Sequence, residues 1–184
     1  MNSIKTDNCQ VCGNKLPEPT LNLGNHPLCD DLKPITTKQI CKEYPIIISL
    51  CDYCLTANQL YNLKKEELFP NNYHYRPRFT LDVLSGMKEL VEQVNTIFGD
   101  LNGKLVCDIG CNDVTLLNFF KEKKCDTCGI EPTGAALEAQ KNHPKILNQF
   151  FDINSAKKII SEFGYPEIIT FTNVFAHIEN LQEA

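Results

Sequence analysis

The chain has 184 residues, 42% hydrophobic and 22% charged, with a formal net charge of −5. This is ordinary globular composition for one medium or two small domains, and the acidic balance speaks against a general nucleic-acid binder, which carries a basic face. No apolar run is long enough to cross a bilayer and the opening MNSIKTDN has no signal-peptide core, so a cytoplasmic address is expected, with the ten cysteines as reduced thiols or metal ligands.

Two CxxC knuckles frame the first third: Cys9-Gln10-Val11-Cys12 and Cys51-Asp52-Tyr53-Cys54. Each places two thiolates on one tight turn, and two such turns close a tetrahedron around zinc. Gly13 suits the first turn. Disulfides or free thiols are the weaker alternative in a reducing compartment. Four sulfurs leave no open position, so the zinc is expected to be structural. Between the knuckles lie Leu21, Leu23, Gly24, His26, Pro27, Leu28 and Cys29, and then YPIIISL over residues 44–50, a strand feeding the second knuckle. Cys29, Cys41 and His26 read as packing or surface residues, because four thiolates already satisfy the metal; a substrate contact is the alternative for His26. Residues 1–68 are assigned to this zinc-binding domain.

Residues 58–68 read as a strand end running into a short helix. FPNNYHYRPR over residues 69–78 follows, rich in turn formers and aromatics, and is assigned to a hinge. Tyr73 and Tyr75 are two apart and share one face if the segment is extended, either as packed linker aromatics or as the wall of a ligand pocket. Residues 80–98 carry Leu81, Leu84, Leu90, Val91, Val94, Ile97 and Phe98 at helical spacing, and Gly99 can end that helix. Hinge and helix together make a linker over residues 69–103.

From residue 104 the pattern changes to strand, glycine turn, helix, strand. LVCDI is a short buried run; Gly110 ends it; Asn112 or Asp113 can cap a helix carrying Leu116, Leu117, Phe119 and Phe120; a second strand ends at Glu131. This is the opening unit of a nucleotide-binding α/β sheet. Gly110 lets the backbone turn sharply, and Glu131, about 20 positions on, can accept bonds from both hydroxyls of a ribose. The turn has one glycine of the dinucleotide fingerprint's three, so no pyrophosphate cradle is evident. An adenosyl ligand without phosphates fits better than NAD, S-adenosylmethionine being the common one; the alternative is an α/β unit with no ligand here. A helix over residues 134–141 follows, then a third strand over 146–151, a helix capped by Asn154 or Ser155 and closed by Gly164, and a fourth strand over 166–175 with Asn173 and His177 at its end. Ligands of such sheets sit beyond the carboxyl ends of the strands, so Gly110, Glu131, Asn173 and His177 converge on one crevice. Cys125 and Cys128 form a third CxxC, but on a strand they face opposite sides and read as core thiols.

Taken together, CQVCG, LGNHPLCDDL, CDYC, LFPNNYHYRPRFT, VCDIGCNDVTLL, GIEPTGAAL and EIITFTNVFAHIENL resemble the nucleotide-sugar C-methyltransferases, S-adenosylmethionine enzymes with an N-terminal zinc-binding domain. The resemblance implies an α/β fold: a small zinc-binding domain, then a Rossmann-like methyltransferase domain over residues 104–184 holding the first four strands of the sheet. It implies methyl transfer to a carbon of a keto-sugar carried on a nucleoside diphosphate, often dTDP, through an enolate formed by loss of a proton beside the ketone. That chemistry needs a base near its working pH, a donor for the enolate oxygen and tight positioning. Asp108, Gly110, Asn112, Asp113, Glu131 and Asn173 would then hold the cofactor. Tyr73, Tyr75 and His177 would face the substrate, with Tyr75 and His177 as the catalytic pair; a strand-end histidine bonded to backbone is the alternative for His177. Two departures stand out. The family's turn reads NDG where this chain has Asn112-Asp113-Val114, and at positive φ a β-branched valine costs on the order of 1–3 kcal/mol; otherwise its isopropyl group intrudes on the cofactor. The family chain also continues beyond the fourth strand, so a fragment or truncated variant is expected, with a further chain supplying the remaining half, or an inactive module that binds a partner.

Overall fold

The computed structural model describes residues 4–184. Two compact units are present: the described residues up to Phe69 with Glu179–Gln182, and Pro70–Ile178 with Glu183–Ala184.

The first unit has a small apolar core among its described residues. Its strands are β1 (Ile4–Lys5), β2 (Leu21–Pro27), β3 (Glu43–Leu50), β4 (Ala57–Gln59) and β5 (Tyr61–Asn62), followed by the one-turn helix α1 (Lys65–Leu68). β2, β3 and β4 form an antiparallel sheet in that order, and β1 pairs with β5. Among its described residues the clustered buried apolar ones are Cys9, Leu16, Cys51 and Leu60, so half of this core is cysteine.

The second unit opens with a 3-10 turn at Pro77–Phe79 and the long helix α2 (Leu81–Phe98), whose last turn is closed by the Gly99 N–H donating to the Asn95 carbonyl. Then come β6 (Leu105–Ile109), α3 (Thr115–Glu122), β7 (Asp126–Ile130), α4 (Ala135–Ala139), β8 (Ile146–Leu147), α5 (Ile153–Phe163), β9 (Ile168–Thr170) and a 3-10 turn at Phe175–His177. The four strands are parallel in the order β8-β7-β6-β9. That is the strand order of half a Rossmann sheet, and it reverses at β6. All five residues of β6 are buried, as a central parallel strand covered on both faces requires. One face packs Val106, Cys125, Ile146 and Ile168 under Val91 of α2 and Leu116, Leu117 and Phe120 of α3; the other packs Leu105, Cys107, Ile109, Cys128 and Ile130 with Ile159 of α5. Cys125 and Cys128 thus lie on opposite faces, as their spacing on a strand demands. Among the described residues no helix is long and apolar enough to cross a membrane.

Several element boundaries depart from expectation. α4 is shorter than 134–141 and β8 is two residues long rather than 146–151. β9 stops at Thr170, not at 175, because Asn173 sits at φ 56° and the chain turns there. α5 is capped by Asp152: its carboxylate accepts the Ser155 N–H at 2.7 Å and the Ser155 hydroxyl accepts the Asp152 N–H at 2.8 Å, so Ser155 is the cap's partner and not the cap. The residue preceding α3 is Val114 in left-handed geometry, rather than Asn112 or Asp113, although the Asp113 carboxylate still accepts the Thr115 N–H at 3.2 Å.

Candidate metal centre and cofactor crevice

The two knuckles are built alike. Gly13 and Leu55, each following its second cysteine, take φ of 75° and 61° and donate N–H bonds to the carbonyls of Cys9 and Cys51, both at 2.9 Å. The first cysteine of each pair donates forward, Cys9 to the Asn14 carbonyl at 2.8 Å and Cys51 to the Thr56 carbonyl at 2.9 Å. Leu55 bears a left-handed cost of roughly 1–2 kcal/mol that Gly13 avoids. The four Sγ atoms lie within 4.8 Å of one another, with Cys9–Cys54 and Cys12–Cys51 at 3.6 Å. Zinc–sulfur bonds of about 2.3 Å give a tetrahedral edge of about 3.8 Å, so the group fits zinc.

The surroundings favour thiolates. Asn14 donates to Cys12 Sγ at 3.3 Å and Asn58 to Cys9 Sγ at 3.5 Å. Buried Asn58 also accepts the Gln10 N–H at 3.0 Å and donates to the Thr56 carbonyl at 2.8 Å, so one carboxamide ties the knuckles together. Burial pushes the Cys9 thiol up, but the N–H groups of Cys12 and Val11 and the bonds from Cys54 and Asn58 outweigh it and hold it at about 6. For Cys51 the N–H groups of Cys54 and Tyr53 pull down, yet burial and the adjoining sulfurs of Cys12 and Cys54 win and push it up to about 11. Four crowded sulfurs cannot all ionise without a cation; a divalent one removes the conflict. Among the described residues no other cysteine or histidine joins the group: exposed Cys29 is outside it, Cys41 donates to the Asp31 carbonyl at 3.4 Å, and His26 Nε2 lies 2.7 Å from the Leu23 carbonyl.

The expected ligand site corresponds to the carboxyl end of β6. Gly110, at φ 74°, and Cys111 both donate to the Ile130 carbonyl, at 2.8 and 3.1 Å, which folds the turn over the tip of β7. Asn112, at φ 47°, donates its N–H to Glu131 Oε2 at 2.9 Å and its carboxamide to the Tyr75 carbonyl at 3.2 Å, while its buried Oδ1 has no partner. Glu131 Oε1 accepts the Thr133 N–H at 2.9 Å and hydroxyl at 2.6 Å. Oε2 therefore keeps one acceptor direction for a ligand. Asn148 donates to the carbonyls of Glu131 and Thr133, at 2.8 and 3.1 Å, and fixes the strand tip.

The other two carboxylates are spent inside the protein. Asp113 Oδ1 takes the Thr115 N–H and, at 2.6 Å, its hydroxyl, and Oδ2 takes the Arg78 N–H and guanidinium, both at 3.4 Å. Asp108 points to the neighbouring strand, where the Thr170 hydroxyl donates to it at 2.7 Å. Val114 sits at φ 59° with its side chain in the core, so it bears backbone strain and does not obstruct the crevice. On the opposite rim Val174 packs against Gly110, which sets Asn173 and the exposed His177 at the same end of the sheet. Half-buried Tyr73 and exposed Tyr75 lie on the segment that Asn112 bonds; both their carbonyls accept Arg76 Nη1 at 2.8 Å. Direct hydrogen bonds thus join Asn112 to Glu131 and to the tyrosine segment, and the 110–114 turn carries Gly110 and Asp113 with them. Asp108 lies on β6, where it bonds Thr170, and His177 stands at the same end of the sheet. Sequence reasoning missed Asn58, Arg76, Arg78, Thr133, Glu138, Asn148 and Thr170.

Asp108 carries a pH dependence. Burial, with the charge of Glu131 adding and the Thr170 bond opposing, raises its pKa to about 7. The folded chain holds this proton more tightly than the unfolded one, so stability falls as pH rises from about 4 to about 7, and the full penalty stands above that. His143, whose pKa is lowered by burial and Lys121, slopes the other way. The comparison of Asp108→Asn with wild type isolates the carboxylate. The variant is expected to be more stable at pH 8, by up to about 4 kcal/mol, and to match wild type near pH 4 in urea melts. A difference that does not change with pH contradicts the assignment.

Residues 9–69 match a family model described as "Putative zinc binding domain". The chain is 22% identical over 179 residues to the C-methyltransferase NovU of Streptomyces niveus, covering 96% of this chain and 42% of that protein. A solved structure, magnesium protoporphyrin IX methyltransferase (ChlM) from Synechocystis PCC 6803 with bound SAH, aligns at 23% identity and a TM-score of 0.26 over 48% of this chain and 35% of that one. The family model falls on the two knuckles, and the similarity to a C-methyltransferase runs along nearly the whole chain.

Proposed function

We propose that this chain is a methyltransferase polypeptide whose α/β unit binds S-adenosylmethionine and serves methyl transfer to a carbon of a nucleoside-diphosphate keto-sugar. The observation that carries the reading is Glu131, held at the tip of β7 with one oxygen direction open, against a Gly110 turn at the point where the strand order reverses. A phosphate-free adenosyl group suits a turn with a single glycine, and the NovU relationship supplies the carbon-directed chemistry. Zinc in the four-thiolate site is structural, and reduced thiols suit the cytoplasm.

The bound cofactor supplies an electrophilic methyl group. Glu131 Oε2 would accept a bond from one ribose hydroxyl, and Asn112 Oδ1, buried and without a partner, would offer an acceptor to a cofactor donor. Asn173 lines the opposite rim. Asp108 and Asp113 act indirectly, by fixing β6 to β9 and the turn to Arg78. Tyr73 and Tyr75 wall the substrate side. Tyr75 is a donor suited to an enolate oxygen, and His177 is suited to substrate contact or to taking the proton beside the ketone.

The second reading is a cofactor-binding module without turnover. A test separates them: the chain is incubated with methyl-labelled S-adenosylmethionine and a dTDP-4-keto-sugar, and sugar-bound label and retained cofactor are both measured. Label on a sugar carbon is expected. Cofactor retained without label favours the binding module, and the absence of both label and retained cofactor contradicts the proposal as a whole.

A further inference from the structure

Residues 71–76 contain no helix or strand, yet they lie against the rim of the crevice in a defined path. The Gly134 N–H at the start of α4 donates to the Asn71 carbonyl at 2.9 Å, and the Tyr73 N–H turns back to the Pro70 carbonyl at 2.9 Å. The rest of the path is set by one guanidinium. Arg76 Nη1 donates to the carbonyls of both Tyr73 and Tyr75, and the other edge of the group pairs with Glu138 of α4, Nη2 to Oε1 at 2.8 Å and Nε to Oε2 at 3.5 Å. Its side chain is only 10% exposed, whereas that of Glu138 is 47% exposed. Arg78 reinforces the arrangement, reaching Glu138 at 3.4 Å and Asp113 at 3.4 Å.

We propose that Arg76 is a positioning residue for the crevice: by chelating the carbonyls on either side of His74 and anchoring to Glu138, it sets Tyr73 and Tyr75 where the methyl acceptor and the reacting end of the cofactor meet. The inference rests on the cofactor reading given above. An arginine is required because only a planar fork can serve two carbonyls on one side and a carboxylate on the other; a lysine offers one compact ammonium. Glu138 does more here than an ordinary surface partner, since its charge offsets a largely buried guanidinium, and Arg76 in turn, foremost through its hydrogen bond, holds the Glu138 carboxyl below the usual range. The strap is therefore tied to α4 and, through the Asn112–Tyr75 bond, to the cofactor turn, so its geometry follows both.

Amide hydrogen exchange and S-adenosylhomocysteine calorimetry on wild type, Arg76→Lys and Glu138→Gln test this. In Arg76→Lys, amides of residues 73–78 are expected to exchange about tenfold faster or more, from the loss of charged hydrogen bonds, while those of β6 and α3 keep their rates. S-adenosylhomocysteine affinity should fall by a similar factor. Glu138→Gln, altered at the exposed end of the pair, should move both readouts the same way by less, and it serves if the lysine variant folds poorly. Unchanged strap exchange in both variants overturns the proposal, as does faster exchange with unchanged affinity. Absence of binding by wild type overturns the cofactor reading instead, and the exchange comparison alone then decides whether the strut exists.

Discussion

Cys51→Ser is expected to lose the metal and to unfold the unit that contains it. Metal analysis should find about one zinc per wild-type chain and little in the variant. The size of the effect follows from how little else holds this unit together. Apart from the two ligands Cys9 and Cys51, its buried core consists of Leu16 and Leu60. Burying two such side chains contributes roughly 3–6 kcal/mol, against an ordering cost of about 1–2 kcal/mol for every residue fixed. Structural zinc is worth about 10–16 kcal/mol in small domains of this kind, so removing it decides the balance. A serine oxygen in place of a fully buried sulfur keeps the size and loses the soft ligand. Cys29→Ser is the control: an exposed thiol outside the group should leave metal content and stability alone. Hydrogen exchange resolved by segment should show amides of β3 and β4 losing protection in Cys51→Ser and keeping it in Cys29→Ser. Full metal content and an unchanged melting curve in Cys51→Ser would refute the four-thiolate site.

Gly110→Ala is expected to damage stability and cofactor binding together. A Cβ at this position would stand 2.4 Å from Val174 Cγ2, and the residue sits at φ 74°. Left-handed geometry costs an alanine roughly 1–2 kcal/mol, and forcing Val174 aside adds about 1–3 kcal/mol. The displaced residues include Asn173, so the opposite wall of the crevice moves as well. The double variant Gly110→Ala/Val174→Ala separates the two costs, because trimming the valine relieves the steric part and leaves the backbone part. Urea melts should show partial recovery in the double variant. A single variant as stable as wild type would mean that the turn and the 173–177 segment do not meet as described.

The features legible in the sequence are those whose cause is local. Two CxxC turns announce a tetrahedral sulfur site, since spacing within each pair is all that the geometry needs. The run Leu105–Ile109 with Gly110 announces a buried strand and a tight turn, and Glu131 follows at the distance that one helix imposes. The opposed placement of Cys125 and Cys128 follows from strand alternation alone. Where the cause is distant the sequence was silent. Arg76 and Glu138, and likewise Asp108 and Thr170, meet only because the sheet and α4 bring them together. Asn58 sits far along the chain from the first knuckle, which it ties to the second. Strand ends failed for a different reason: an apolar run such as residues 166–175 does not say where pairing stops, and it stops because Asn173 leaves the extended region. Val114 was legible as a departure, and the structure resolves its two possible consequences, since the side chain packs inward.

The central claim is that the crevice between Gly110 and Glu131 takes an adenosyl group. Calorimetry with S-adenosylhomocysteine on wild type and Glu131→Gln tests it most directly. One molecule should bind per wild-type chain. The glutamine variant should bind about tenfold more weakly or worse, because a charged acceptor for a ribose hydroxyl is gone. No heat at millimolar ligand, or equal affinity in the two proteins, would contradict it.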